Sequence, residues 1–250
     1  MRLTRTLLLS VVTLLALAGA AFAQTEDEVV QKHLAALGGR AAIEKLTSRK
    51  SIGTVTISTP DASLSGPIEI YGKAPNKVRA FMRLDLSAVG ASGDMTVDQI
   101  FDGQMGYSLN SLQGDTAIAG RQLQNMRNNV FPSPLLNYKA GAFTLEVLPK
   151  EQVNGRDAIV VRATPKTGPP LRIFFDAQTY LIVRTVTTLD SPMGGDLEQT
   201  SESSDYRTVD GVKIAFQIVN VNALQTVTIK LDMVEHNVAI DDAMFVKRVP

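Results

Sequence analysis

The chain has 250 residues, with 25 lysines and arginines against 25 aspartates and glutamates, two histidines and no cysteine. Zero net charge gives no electrostatic case for binding nucleic acid or an anionic membrane surface. The lack of cysteine excludes disulfides, thiol catalysis and cysteine-based metal sites, so stability must come from a buried core.

The first 23 residues read as a cleavable secretory signal peptide. Arg2 and Arg5 supply a positive start, Leu7 to Leu17 is an almost unbroken apolar run, and Ala21-Phe22-Ala23 places small residues where a signal peptidase reads them. The run is shorter than the roughly 20 residues that span a bilayer. Polarity changes abruptly at Gln24-Thr25-Glu26-Asp27-Glu28. The expected organisation is therefore residues 1–23 as signal peptide and 24–250 as one domain, periplasmic or secreted. No cysteine follows the cleavage site, so lipid attachment there is not expected, and no later segment is long and apolar enough to cross a membrane.

Thr25 and Glu28 stand in capping-box relation, and Val29, Val30, Leu34 and Leu37 recur at helical spacing, so a helix is predicted up to Gly38-Gly39. A short second helix is predicted over Ala41 to Leu46. Beyond Lys50 the pattern alternates with period two. Val55/Ile57, Ile68/Ile70, the long row Val78/Ala80/Met82/Leu84/Leu86, and Met95/Val97/Phe101 come first. Phe143/Leu145/Val147, Ile159/Val161/Ala163 and Leu171/Ile173/Phe175 follow, and then Val212/Ile214/Phe216/Ile218 and Val227/Ile229/Leu231/Met233. Alternation with one apolar face predicts an antiparallel sheet covered on one side. Asp102-Gly103, Asn154-Gly155 and Asp210-Gly211 are hairpin signals. Asp190 to Asp205 reads as a polar loop. Gly120 to Asn129 reads as a helix with Leu123 and Met126 inward, ended by the Pro132/Pro134 segment that carries Phe131, Leu135 and Leu136. The expected fold is mainly β (α+β): a single curved antiparallel sheet, or half-barrel, of roughly ten strands with helices covering its concave face.

Catalytic constellations are lacking. His33 and His236 have no metal-ligand spacing, and each is expected on a surface or loop. There is no G-x-S-x-G elbow. Asp241-Asp242 reads as a turn or helix cap before Ala243-Met244-Phe245. Gly38-Gly39-Arg40 reads as a helix stop, because it lacks the phosphate-loop pattern. No catalytic residue, metal or cofactor is expected, and the protein is not expected to be an enzyme. What remains is apolar shape, which serves equally as a ligand pocket or an ordinary dry core.

Several segments together resemble the outer-membrane lipoprotein-sorting-like proteins, which share the half-barrel fold of the periplasmic lipoprotein carriers. The opening, Val30-Gln31-Lys32-His33-Leu34-Ala35-Ala36-Leu37-Gly38-Gly39 with Ala42-Ile43-Glu44-Lys45-Leu46 and a strand containing Gly53, is one. Phe175-Asp176-Ala177-Gln178-Thr179-Tyr180-Leu181-Ile182-Val183-Arg184 and Asp205-Tyr206-Arg207-Thr208-Val209-Asp210-Gly211-Val212-Lys213-Ile214 are similar to two of their hairpins, and Asn237 to Phe245 to their final segment. Tyr180 departs from the usual Gly and Ala215 from a common Pro, so the turn at Tyr180 is expected to differ. The resemblance implies a soluble, non-enzymatic carrier or sensor of a lipid or lipoprotein acyl chain. It equally implies an alternative, a non-catalytic interaction module for a periplasmic zinc peptidase or other envelope assembly. In the carrier reading the cavity is lined by Met82, Leu84, Phe101, Phe131, Leu135, Leu136, Phe175 and Phe216. These assignments depend on register, since a one-residue slip turns a strand's set to the other face.

Overall fold

The computed structural model of the chain describes residues 24–141 and 143–247; the expected signal peptide, residues 1–23, lies outside them. Helix α1 (Glu26–Leu37) begins at the capping box: the Glu28 amide donates to Thr25 Oγ1 at 3.2 Å, and the Thr25 amide donates to the Glu28 carboxylate at 3.3 Å. It stops at Gly38, whose φ is +125°. A Cβ there would sit 2.0 Å from the carbonyl oxygen of Gly211. Glycine is thus required both by the backbone angle and by close approach to a late hairpin turn. A short helix α2 (Arg40–Glu44) follows.

Strands β1 (Ser48–Ser58), β2 (Ser63–Lys73), β3 (Lys77–Asp85), β4 (Asp94–Phe101), β5 (Gly106–Asn110) and β6 (Gly114–Ile118) form one meander. After helix α3 (Gly120–Asn128), a second meander runs through β7 (Phe143–Val153), β8 (Arg156–Pro165), β9 (Leu171–Asp176), β10 (Ile182–Asp190), β11 (Asp196–Val209), β12 (Val212–Val221) and β13 (Thr226–His236). The meanders join where β13 pairs antiparallel with β1, giving one 13-stranded sheet in the order β6-β5-β4-β3-β2-β1-β13-β12-β11-β10-β9-β8-β7. Strands β6 and β7 are its free edges, so the sheet is not closed.

This topology dictates the crossover. Because β6 and β7 lie at opposite edges, the chain between them must traverse the whole sheet. It does so over the concave face, as α3 and the segment from Asn129 to Gly141. Curvature follows from one chamber that is lined from β4 across to β10. Laid flat at about 4.8 Å per strand, those neighbouring strands would span about 34 Å. Gly53 sits at a register shift between β1 and β13, where a Cβ would lie 2.1 Å from the Lys230 carbonyl oxygen.

The covered face holds the main core. Ile159, Val161 and Ala163 of β8 and Ile173 and Phe175 of β9 pack against Val29, Val30 and Leu34 of α1 and against Leu135, Leu136 and Tyr138. Core is not confined to that face, as the alternation suggested. Val153, Ala158, Val160, Phe174 and Val186 form a second buried cluster on the other side. The guanidinium groups of Arg172 and Arg184 shield it, lying 5.4 and 5.9 Å from the Phe174 ring.

Several expectations need correction. The described residues form 13 strands rather than roughly ten, since β5 and β6 are too short to display a period. The stretch Asp190 to Asp205 is not a loop. Ser191 to Gly195 forms the turn, and β11 begins at Asp196. Its Ser-, Thr- and Glu-rich sequence carries no apolar row; ladders to β10 and β12 on both sides hold it. His33 is not a surface residue. It is 2% exposed, donates from Nδ1 to the Tyr180 carbonyl oxygen at 2.8 Å, and meets the Phe175 ring edge-on at 5.1 Å. Burial pushes its imidazole down to about 4, only partly offset by the Tyr180 bond. Tyr180 itself takes φ +57°, and the Gln24 side chain and Lys32 ammonium hold its hydroxyl from α1's side. His236 ends β13 with its side chain enclosed, Nδ1 3.2 Å from Asp210 and Nε2 without a partner among the described residues. Asp241 does cap a helical turn, accepting from the Ala243 amide at 2.9 Å.

Candidate functional site

The concave face and the crossover border two contiguous chambers, each partly open to solvent. The larger, about 660 Å³, has a floor of Ile57, Ile68, Ile70, Met82, Val97 and Ile229, all aliphatic. The smaller, about 380 Å³, lies toward the other meander and is lined by Leu135 of the crossover and by Phe143, Leu171, Ile173 and Ile182 of the sheet. Both volumes fall in the range of about 300–1,000 Å³ typical of small-molecule sites. Asn125 and Asn129 of the crossover and Thr187 of β10 border both chambers. Ile173 belongs both to the core under α1 and to the smaller chamber, so α1 and α3 cover the same face.

The roof has two unlike halves. Helix α3 has no fully buried residue. Polar contacts hold it: Arg121 is ion-paired with Asp190 and Asp196, Arg127 donates to the Gln104 carbonyl oxygen at 2.7 Å, and Asn128 donates to that of Thr167 at 2.9 Å. Asn125 reaches Thr187 and the Thr188 carbonyl only at 3.4 and 3.5 Å. The segment after α3 is seated in apolar contacts instead. Leu135, Leu136 and Tyr138 are buried in the α1 core, Arg40 donates to the Leu136 carbonyl oxygen at 2.7 Å, and the Phe131 amide donates to Pro75 at 2.7 Å.

Of the eight expected lining residues, Met82 lines the larger chamber and Leu135 the smaller. Leu84, fully buried, packs in the floor cluster with Met82. Phe101 is fully buried at the end of β4. Phe131 lies over Gly72, with the Arg49 guanidinium 5.9 Å from its ring. Leu136 and Phe175 belong to the core beneath α1. Phe216 packs with Leu231 and Val234, its ring covered by the Arg207 guanidinium at 4.4 Å.

Sequence reasoning missed the amides. Gln99, Gln122, Asn125, Asn129, Gln199 and Asn220 all line the larger chamber. Three of them had a signal. Gln99 sits between Val97 and Phe101, Asn220 continues the Phe216/Ile218 row, and Gln199 follows Leu197: a polar residue stands where an inward apolar one is due. Among the described residues no group of three or more His, Asp or Glu converges in a way that could hold a metal ion, and no helix is long and apolar enough to cross a membrane.

No protein-family model matches the sequence, and no curated protein is similar enough to match. Solved structures of like architecture do. An outer-membrane lipoprotein-sorting protein domain from Vibrio parahaemolyticus superposes with TM-score 0.56 at 11% identity, covering 87% of this chain and 94% of that one. A LolA superfamily protein from Nitrosomonas europaea gives 0.57 at 14%, covering 90% and 99%. The chain has the lipoprotein-sorting half-barrel fold. A DUF1329 family protein from Desulfovibrio piger shares the half-barrel too, with TM-score 0.56 at 13% identity over 88% and 96% of the chains. At these identities the likeness is one of fold.

Proposed function

We propose that residues 24–250 act as a half-barrel carrier or sensor, without catalytic activity, that holds a lipid or lipoprotein acyl chain beneath α3. The single observation that carries this reading is the aliphatic chamber floor under a roof helix with no buried residue of its own. An ordinary core is filled to crystal-like density; here the crossover bridges space instead of filling it. Burying each methylene contributes about 0.8 kcal/mol, so part of an acyl chain suffices for useful affinity without a charged contact. Export of the chain by residues 1–23 would place this activity in the periplasm, where the partner is a membrane lipid or an acylated lipoprotein.

Ala80 lines the chamber floor beside Met82 and provides the test. Ala80→Phe fills the space from below. Native mass spectrometry of the purified protein is expected to show co-purifying lipid in the unaltered chain and little in Ala80→Phe, with circular dichroism unchanged. A lipid-free chain that also ignores fluorescent fatty acids sinks the carrier reading. It would leave the interaction-module alternative standing.

A further inference from the structure

The larger chamber is two-sided, and its second side is made of amides. Its floor on β1, β2 and β3 is aliphatic, while Gln99 of β4, Gln122 and Asn125 of α3, Asn129, Gln199 of β11 and Asn220 of β12 face the same space. Gln122 and Asn129 are exposed at its rim, whereas Gln99, Asn125, Gln199 and Asn220 are half-buried. Among the described residues the side chains of Gln99 and Gln199 have no hydrogen-bond partner, Asn220 accepts from the Ser201 hydroxyl, and Asn125 makes only its two long bonds. Among the described residues no lysine or arginine lines the chamber, and the one ionised group that does, Asp190, is paired with Arg121. Polar side chains turned inward cost free energy unless something bonds them. Water serves when the chamber is empty. A ligand that displaces it must replace those bonds.

We infer that the chamber selects a lipid whose head group is uncharged and rich in hydroxyls, such as a sugar or glycerol. This rests on the carrier reading and names its ligand class. Each primary amide presents two donors and a carbonyl acceptor, and each hydroxyl donates once and accepts twice, so the two groups can satisfy one another completely. A phosphate head, anionic, would find no lysine or arginine among the described lining residues, and the nearest guanidinium, that of Arg121 at the edge, is already engaged by Asp190 and Asp196. The chain of such a lipid would lie on the aliphatic floor, with its head against α3, β11 and β12.

Competition on the delipidated, purified protein tests this. A fluorescent fatty acid is displaced by monoglucosyl diacylglycerol, phosphatidylglycerol, a triacylated cysteine peptide or a fatty-acid methyl ester, all with matched chains. The glucosyl lipid is expected to compete about tenfold better than any of the others, a factor corresponding to one well-satisfied buried hydrogen bond. In the Gln99→Leu/Gln199→Leu variant that advantage disappears while the methyl ester binds as before. Gln199→Lys, which keeps a polar side chain, should raise phosphatidylglycerol binding. If phosphatidylglycerol, the acylated peptide or the headless ester equals the glucosyl lipid on the unaltered protein, the head-group assignment is wrong and the carrier stands. If the fluorescent fatty acid never binds, both readings fall together.

Discussion

Burial holds the His33 imidazole at about 4, against about 6.5 in an unfolded chain. Between those values the unfolded chain binds a proton that the folded one refuses. The His33 contribution is therefore intact above about pH 6.5 and is lost as pH falls toward 4, at up to about 1.4 kcal/mol per unit. Urea midpoints at about pH 7.5 and about pH 5 should differ clearly in the unaltered chain and much less in His33→Gln, which keeps a donor for Tyr180 but does not titrate. His236, also shifted down by burial, adds a slope of the same sign. Gly38→Ala should cost more than about 1 kcal/mol, because it combines a disfavoured φ with a collision at Gly211. The capping box and the stop at Gly38 were readable because they are local. The burial of His33 was not, since its partner carbonyl on Tyr180 comes from a distant hairpin. The inward amides were half-readable, as breaks in an apolar row whose facing only the strand register could settle.

At the level of elements, the crossover divides into a loose roof and a firm anchor. Hydrogen exchange should find the amides of α3 exchanging quickly and those around Leu135 to Tyr138 protected, since the first group rests on exposed polar contacts and the second on buried apolar ones. Arg121→Ala removes the pairs to Asp190 and Asp196. The unfolding midpoint should scarcely move, because exposed ion pairs contribute little, while α3 exchanges faster still and a bound fatty acid leaves sooner. Equal exchange of both halves would refute this division. Truncations should show the same contrast. Phe175→Ala, in the α1 core, is expected to cost about 3–5 kcal/mol in urea unfolding, and Met126→Ala, half-buried on α3, far less. Helix α3 was legible from its sequence and its proline stop. Strand β11 was not, because two neighbouring ladders rather than an apolar face make it a strand.

The whole molecule is two meanders, β1–β6 and β7–β13, zipped along β1 and β13. The class of fold could be read from period-two rows and Asx-Gly turns, as could the choice of which face carries helices. The order of the strands could not. That β13 closes onto β1 depends on long-range pairing that leaves no mark on either strand alone. From that pairing follows the opposite placement of β6 and β7 and hence a connection between the two edges, which in this chain passes over the concave face and forms the roof.

The same passage is also the only covalent link between the two meanders. A protease that cuts once within α3 would split the protein into two fragments, one bearing α1, α2 and β1–β6, the other β7–β13. They would stay together through the ladder from Arg49/His236 to Ser58/Thr226 and through α1, which belongs to the first fragment but packs on strands of the second. The roof could thus be severed without the walls coming apart, and fragments made separately should reassemble along that seam.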